Sequence, residues 1–178
     1  MQGAMFAYHS GVTETRWYAS RWWEWPLLVR PVWLYSGRID VPAGSISSIV
    51  TMGNPAVWWV GAAAMPLLAV VGARTRSRAA GVALAGFLCM YLPWLVSPRS
   101  LQFIYYFFSS VPFMILGAAH LLETAASRWP RIRYAAFAWA AVGVALFAMF
   151  FPILSGVVVP RAYAEALHWF RTWIIFPG

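Results

Sequence analysis

The residues best suited to chemistry lie just after the second apolar run. Gln102, Tyr105, Tyr106 and Ser109 fall at i, i+3, i+4 and i+7, the spacing of one α-helical face, and Arg99 stands immediately before them. A guanidinium can fork onto a phosphate while tyrosine hydroxyls donate further hydrogen bonds, so this set could receive an anionic headgroup. From spacing alone, an aromatic belt with small residues packing between helices accounts for the same pattern and is the commoner arrangement. Arg30, in Leu27-Leu28-Val29-Arg30-Pro31-Val32-Trp33, is a second basic candidate, against a snorkelling interfacial arginine. The acids Glu14, Glu24, Asp40 and Glu165 are scattered without a motif spacing, so each reads as solvated or arginine-paired rather than as a general base. Glu24, between Trp23 and Trp25 and close to Arg21, fits that description. His9, His120 and His168 are far apart and Cys89 is the only cysteine, so no metal site or disulfide follows. No glycine-rich phosphate loop or G-x-S-x-G elbow occurs, and no cofactor is implied.

The elements that must position these residues are membrane helices. Hydrophobic residues make up 62% of the chain and charged residues 10%, against roughly 45–50% and about 25% in soluble domains. Lipid must be the solvent for much of that surface. Apolar runs at about 55–73, 79–96, 101–122 and 134–154 each approach the ~20 residues that cross a bilayer core. Pro66, Pro93 and Pro112 interrupt three of them, which predicts kinks. Asn54-Pro55 reads as a helix start, an N-cap followed by a favoured first residue. The predicted fold is all-α and membrane-integral, with about four spans over 55–154, an aromatic, arginine-rich interfacial segment over 1–54, and a tail over 155–178. In the tail, Tyr163, Leu167, Phe170 and Ile174 recur at helical spacing and predict an amphipathic helix over about 160–176, lying on the membrane interface.

Every basic residue is arginine, and the net charge is +8. Six of the arginines occupy two short loops, Arg74, Arg76 and Arg78, then Arg128, Arg131 and Arg133, which is a topology signal and argues against nucleic acid as a partner. Both loops are expected on the cytoplasmic side, with both termini on the outer face.

The tryptophan-rich block carries a resemblance. Tyr8-His9, then Ser20-Arg21-Trp22-Trp23-Glu24-Trp25-Pro26-Leu27, Arg30-Pro31-Val32-Trp33, and Met52-Gly53-Asn54-Pro55 followed by Trp58-Trp59 resemble the C-terminal four-span region of bacterial protein O-mannosyltransferases. Arg99 with Phe103-Ile104-Tyr105-Tyr106-Phe107, and His168-Trp169-Phe170-Arg171-Thr172-Trp173, agree with it. The resemblance implies a GT-C glycosyltransferase in the plasma membrane that moves mannose from a polyprenyl-phosphate carrier to Ser or Thr of exported proteins. It places Arg99, Tyr105, Tyr106 and Arg30 in the donor phosphate region. Two positions depart: eukaryotic relatives tend to have His-His where Tyr105-Tyr106 stand, and relatives often have histidine at Arg16. The family's acidic pair belongs to an outer loop near the N-terminus of a much longer protein. These 178 residues are therefore expected to supply donor-lipid binding and packing without transferring sugar alone, with the catalytic N-terminal part or a partner enzyme completing the site. The alternative is a non-catalytic membrane scaffold or accessory subunit.

Overall fold

A computed structural model describes residues 18–37, 39–99 and 101–176. Its framework is four helices. α1 (Pro55–Thr75) starts where Asn54 Oδ1 accepts from the Ala56 and Val57 N–H groups at 3.1 and 3.4 Å, with Pro55 at the first helical position. It ends at Arg76, a non-glycine residue in the left-handed region (φ 50°). α2 (Arg78–Tyr91) is capped by Ser77, whose Oγ accepts from the Ala80 N–H at 3.3 Å. α3 is Val111–Arg128 and α4 is Arg133–Ser155.

Among the described residues, three segments are long and apolar enough to cross a membrane: Pro55–Thr75, Ile104–Arg128 and Pro130–Ser155. The second apolar run is shorter than the sequence suggested. α2 has 14 residues before a 3₁₀ turn at Leu92–Trp94 takes over, a helical rise of about 21 Å against a ~30 Å core. Proline placement explains part of this. Pro66 lies inside α1, but Pro93 and Pro112 occupy the first turns of new helical segments, where a missing N–H costs nothing.

α1 and α3 run side by side in the same direction. Gly61 faces Met114, and Gly117 faces Met65 and Leu68; a Cβ at Gly117 would lie 2.3 Å from Met65 Cε. This small-against-long interlock lets two helices approach where lipid offers no hydrophobic drive. α2 returns against them, with Gly86 beneath the Phe113 ring. α4 joins α1 through Asn54 Nδ2, which donates to the Gly143 carbonyl at 2.7 Å, and Trp139 Nε1, which donates to the Ala56 carbonyl at 3.0 Å. Helix direction gathers residues 18–37, 39–54, 92–99, 101–110 and 156–176 at one end of the bundle, the aromatic end. The turns at 74–78 and 128–133 lie at the other, the arginine end, where Ser77 Oγ meets His120 Nε2 at 3.0 Å.

The aromatic end is not purely helical. β1 (Val32–Ser36) pairs antiparallel with β3 (Ser48–Thr51), with a bulge between Trp33 and Tyr35, and β2 (Ser45–Ile46) pairs with β4 (Val159–Pro160). These short β-branched and aromatic runs favour a pleated surface, which an all-α reading misses. The tail departs as well. Only α5 (Arg161–Ala166) is helical; beyond it the chain turns back. Trp173 and Ile175 become fully buried, because Trp173 Nε1 donates to the Leu28 carbonyl at 2.8 Å and Ser48 Oγ donates to the Ile175 carbonyl. Tertiary hydrogen bonds outcompete the amphipathic helix that the spacing suggested.

Candidate donor-lipid site at the aromatic end

The segment before β1 is a tight, strained scaffold. Ser20 N–H donates to the Gln102 carbonyl at 2.9 Å, joining residues 18–30 to the start of the third apolar segment. Trp25, with no solvent exposure, donates its indole N–H to Ser20 Oγ and O at 3.0 and 3.2 Å. It is a core residue, not an interfacial one. Leu28 is also fully buried and takes a left-handed conformation (φ 56°), which costs a branched residue on the order of 1–2 kcal/mol. Three indoles hold that turn in place. Trp58 donates to the Trp25 carbonyl at 2.6 Å, Trp59 to the Leu27 carbonyl at 3.2 Å and Trp173 to the Leu28 carbonyl at 2.8 Å.

This gives the Gly-Asn-Pro-x-x-Trp-Trp run a physical account. Asn54 and Pro55 start α1 so that Trp58 and Trp59 reach the 25–28 carbonyls. Gly53 makes room, since a Cβ there would lie 1.9 Å from the Trp58 ring. The run was visible in the sequence as a motif, but its work as an indole clamp was not.

The clamp presents Glu24 and Arg30. Glu24 Oε2 accepts from the Arg21 backbone N–H at 2.6 Å, and its Oε1 lies 3.7 Å from Arg30 Nε. Arg30 Nη1 also donates to the Ala19 carbonyl at 3.2 Å. Glu24 is thus arginine-paired, but with Arg30 and not with the side chain of Arg21, whose guanidinium sits 4.9 Å from the Trp23 ring centroid. Glu165 likewise pairs with Arg161 at 3.0 Å, and Asp40 is an exposed turn residue. Glu14, His9, Arg16 and Arg38 lie outside the described residues.

Arg99, Tyr105 and Tyr106 do come together, though not on an α-helical face. Residues Ile104–Ser110 form a 3₁₀ helix, whose three-residue period buries Ile104, Phe107 and Ser110. Gln102 precedes that helix and is itself buried, donating from Nε2 to the Arg99 carbonyl at 3.1 Å. Ser109 Oγ turns back to the Tyr106 carbonyl at 3.2 Å. The four residues read as one face are therefore split between two roles.

What remains is compact. The half-buried Arg99 holds its guanidinium carbon 5.3 Å from the Tyr106 ring centroid. Trp94 stacks on Tyr106 at 4.3 Å and 17°, and the Tyr105 ring lies edge-on at 4.7 Å. Trp25 packs on both Trp94 (5.6 Å) and Tyr106 (6.2 Å). Sequence reasoning missed Trp94, although a tryptophan five residues before a candidate arginine was a usable signal. A cation over an aromatic face keeps its in-plane N–H groups directed outward from the ring, the arrangement that binds a phosphate edge.

A mostly helical bundle with membrane-length apolar helices defines the class, an integral membrane protein, and it carries an arginine set among stacked aromatics at one end. Residues 1–79 match the family described as the C-terminal four transmembrane region of protein O-mannosyltransferase. The polyprenol-phosphate-mannose–protein mannosyltransferase of Mycobacterium tuberculosis is 26% identical over 94% of this chain and 35% of its own length. Those of Mycolicibacterium smegmatis (26%, over 96% of this chain and 36% of the relative) and Corynebacterium glutamicum (25%, 96% and 35%) are similar to it too. The chain thus spans about a third of the length of the curated relatives it matches. The Saccharomyces cerevisiae protein O-mannosyltransferase Pmt1–Pmt2 complex bound to the sugar donor shares the fold, with a TM-score of 0.78 at 19% identity, over 97% of this chain and 26% of that one. The resemblance read from the tryptophan block therefore holds. The chain is similar in sequence, along nearly its whole length, to bacterial polyprenol-phosphate-mannose–protein mannosyltransferases and in fold to a protein O-mannosyltransferase, and its residues 1–79 match the family's C-terminal region.

Proposed function

We propose that this chain forms the donor-lipid-binding and packing part of a membrane glycosyltransferase. That enzyme would transfer mannose from a polyprenyl-phosphate carrier to Ser or Thr hydroxyls of exported proteins. The observation that carries the reading is the Arg99–Tyr106–Trp94 stack with Tyr105 beside it. Arg99 makes the first contact with the donor phosphate, and the Tyr105 and Tyr106 hydroxyls donate to its remaining oxygens. Arg30, already held by Glu24, sets the charge at the edge of the site. The chemistry needs such a set, because negative charge grows on the phosphate as the glycosyl bond breaks, and preorganised donors stabilise it without rearrangement. The aromatic end faces outward, the arginine turns face the cytoplasm, and α2 with its 3₁₀ extension completes a fourth crossing.

Transfer to a hydroxyl also needs a group to take its proton, a role worth typically a hundredfold to ten-thousandfold. Glu24 and Glu165 are each committed to an arginine. In this reading a base supplied by further polypeptide completes the enzyme, and the 178 residues assayed alone give only background transfer.

A photoreactive polyprenyl-phosphate analogue tests the reading. The expected result is crosslinking to peptides containing residues 94–106, competed by polyprenyl-phosphate-mannose. Crosslinks confined to the lipid-facing side of α4 would contradict it.

A further inference from the structure

The arginine end has a feature that donor binding does not use. Arg74, Arg76, Arg78, Arg128, Arg131 and Arg133 are all exposed, and among the described residues none is within ion-pair reach of a carboxylate. Among the described residues, Glu123, exposed on α3, is the one acid on this part of the bundle. Self-repulsion among six guanidinia is a cost unless an anion screens it.

The aromatic residues around the patch indicate which anion. Trp129 and Tyr134 are each 60% exposed. Each ring is accompanied by its preceding arginine, Arg128 at 6.0 Å from the Trp129 centroid and Arg133 at 5.1 Å from that of Tyr134, and Arg133 also donates to the Tyr134 hydroxyl at 3.3 Å. An exposed ring with a cation at its polar side suits the headgroup layer, where ring and charge sit at different depths. A soluble acidic partner would not require rings at that position. The turn itself is held firmly. Ser77 links the α2 start to His120 on α3, and Arg76 closes α1 in a left-handed conformation, so the 74–78 arginines are presented from a fixed backbone.

We infer that the two arginine turns form a binding surface for anionic phospholipid headgroups in the adjoining leaflet, with guanidinia engaging phosphodiesters and Trp129 and Tyr134 seated among the glycerol esters. The surface is independent of the donor site and works whichever leaflet it adjoins.

The test uses the full chain in phosphatidylcholine bilayers doped with spin-labelled phosphatidylglycerol or spin-labelled phosphatidylcholine, present in both leaflets so that insertion orientation does not affect the readout. The expected result is a several-fold selectivity of the motionally restricted shell for phosphatidylglycerol, falling as salt is raised. R74Q/R76Q/R78Q should lose at least half of that selectivity, while R74K/R76K/R78K retains most of it and shows that the fold is intact. Equal restriction of the two lipids by the unaltered chain would overturn the inference, as would full selectivity in the glutamine variant. Tighter binding of soluble polyglutamate than of phosphatidylglycerol would also overturn it, and would assign the patch to an acidic protein. Donor crosslinking at residues 94–106 should be the same in all three proteins, so failure here and failure of the donor reading are separately visible.

Discussion

The two ends of the bundle differ in whether their arginines meet carboxylates. At the aromatic end, Arg30 and Arg161 face carboxylates, and Arg21 and Arg99 lie over rings. At the arginine end, Arg128 and Arg133 also lie beside rings, but none of the six exposed guanidinia has a described carboxylate partner. Arginines meant for one ligand are oriented in advance by packing, which lowers the cost of binding. Arginines meant for a surface of many headgroups can stay mobile, because the field and not the geometry does the selecting. On the two proposals above, the first end would serve specificity and the second attachment.

The comparison breaks most sharply at orientation. With Cys89 replaced by serine, a cysteine introduced at Ser45 should be labelled in intact cells by an impermeant thiol reagent, and one at Ser77 should not. The reverse pattern would exchange the sides of the two ends. Next in size is Trp25→Ala. It removes a fully buried ring that contacts Trp94, Tyr106 and Phe107, and should destabilise the protein by about 3–5 kcal/mol in a reversible unfolding titration. Trp173→Phe keeps a ring but leaves the buried Leu28 carbonyl without its donor, a loss of about 1–3 kcal/mol. A change near zero would mean that the left-handed turn at Leu28 does not depend on the clamp. The smallest effect belongs to the arginine end. Arg76→Gly relieves a positive φ at a helix C-cap and should raise stability by up to about 1 kcal/mol, whereas a loss would show that the Arg76 side chain contributes to packing.

How far the sequence could be read follows the same division. Apolar runs, Asn54-Pro55 and the arginine turns were legible because they rest on local chemistry: hydrocarbon length, capping and charge. The α3 entry was misread because a 3.6-residue period was assumed where Gln102 precedes the helix and Ile104–Ser110 is 3₁₀, whose three-residue period keeps Ser109 in the Tyr106 row and turns Tyr105 onto another. The tail was misread for a different reason. Its amphipathic spacing was real, but Trp173 and Ile175 find partners in Leu28 and Ser48, more than a hundred residues earlier, and no local pattern encodes that. At the site, Arg99 and the two tyrosines were legible by type and proximity. Trp94 and the three-indole clamp were not, since they arise only when separate segments converge.

The central claim, that Arg99 held over Tyr106 receives the donor phosphate, is tested most directly by steady-state kinetics of the intact enzyme carrying Arg99→Ala. Loss of a charge-assisted hydrogen bond is worth roughly 1.5–3 kcal/mol, on the order of tenfold to a hundredfold. The account requires a fall of that size in kcat/KM for polyprenyl-phosphate-mannose. Arg99→Lys should recover only part of it, because an ammonium cannot make the two-pronged contact. Unchanged donor kinetics in Arg99→Ala would contradict the assignment and leave the stack as an aromatic belt at the membrane boundary.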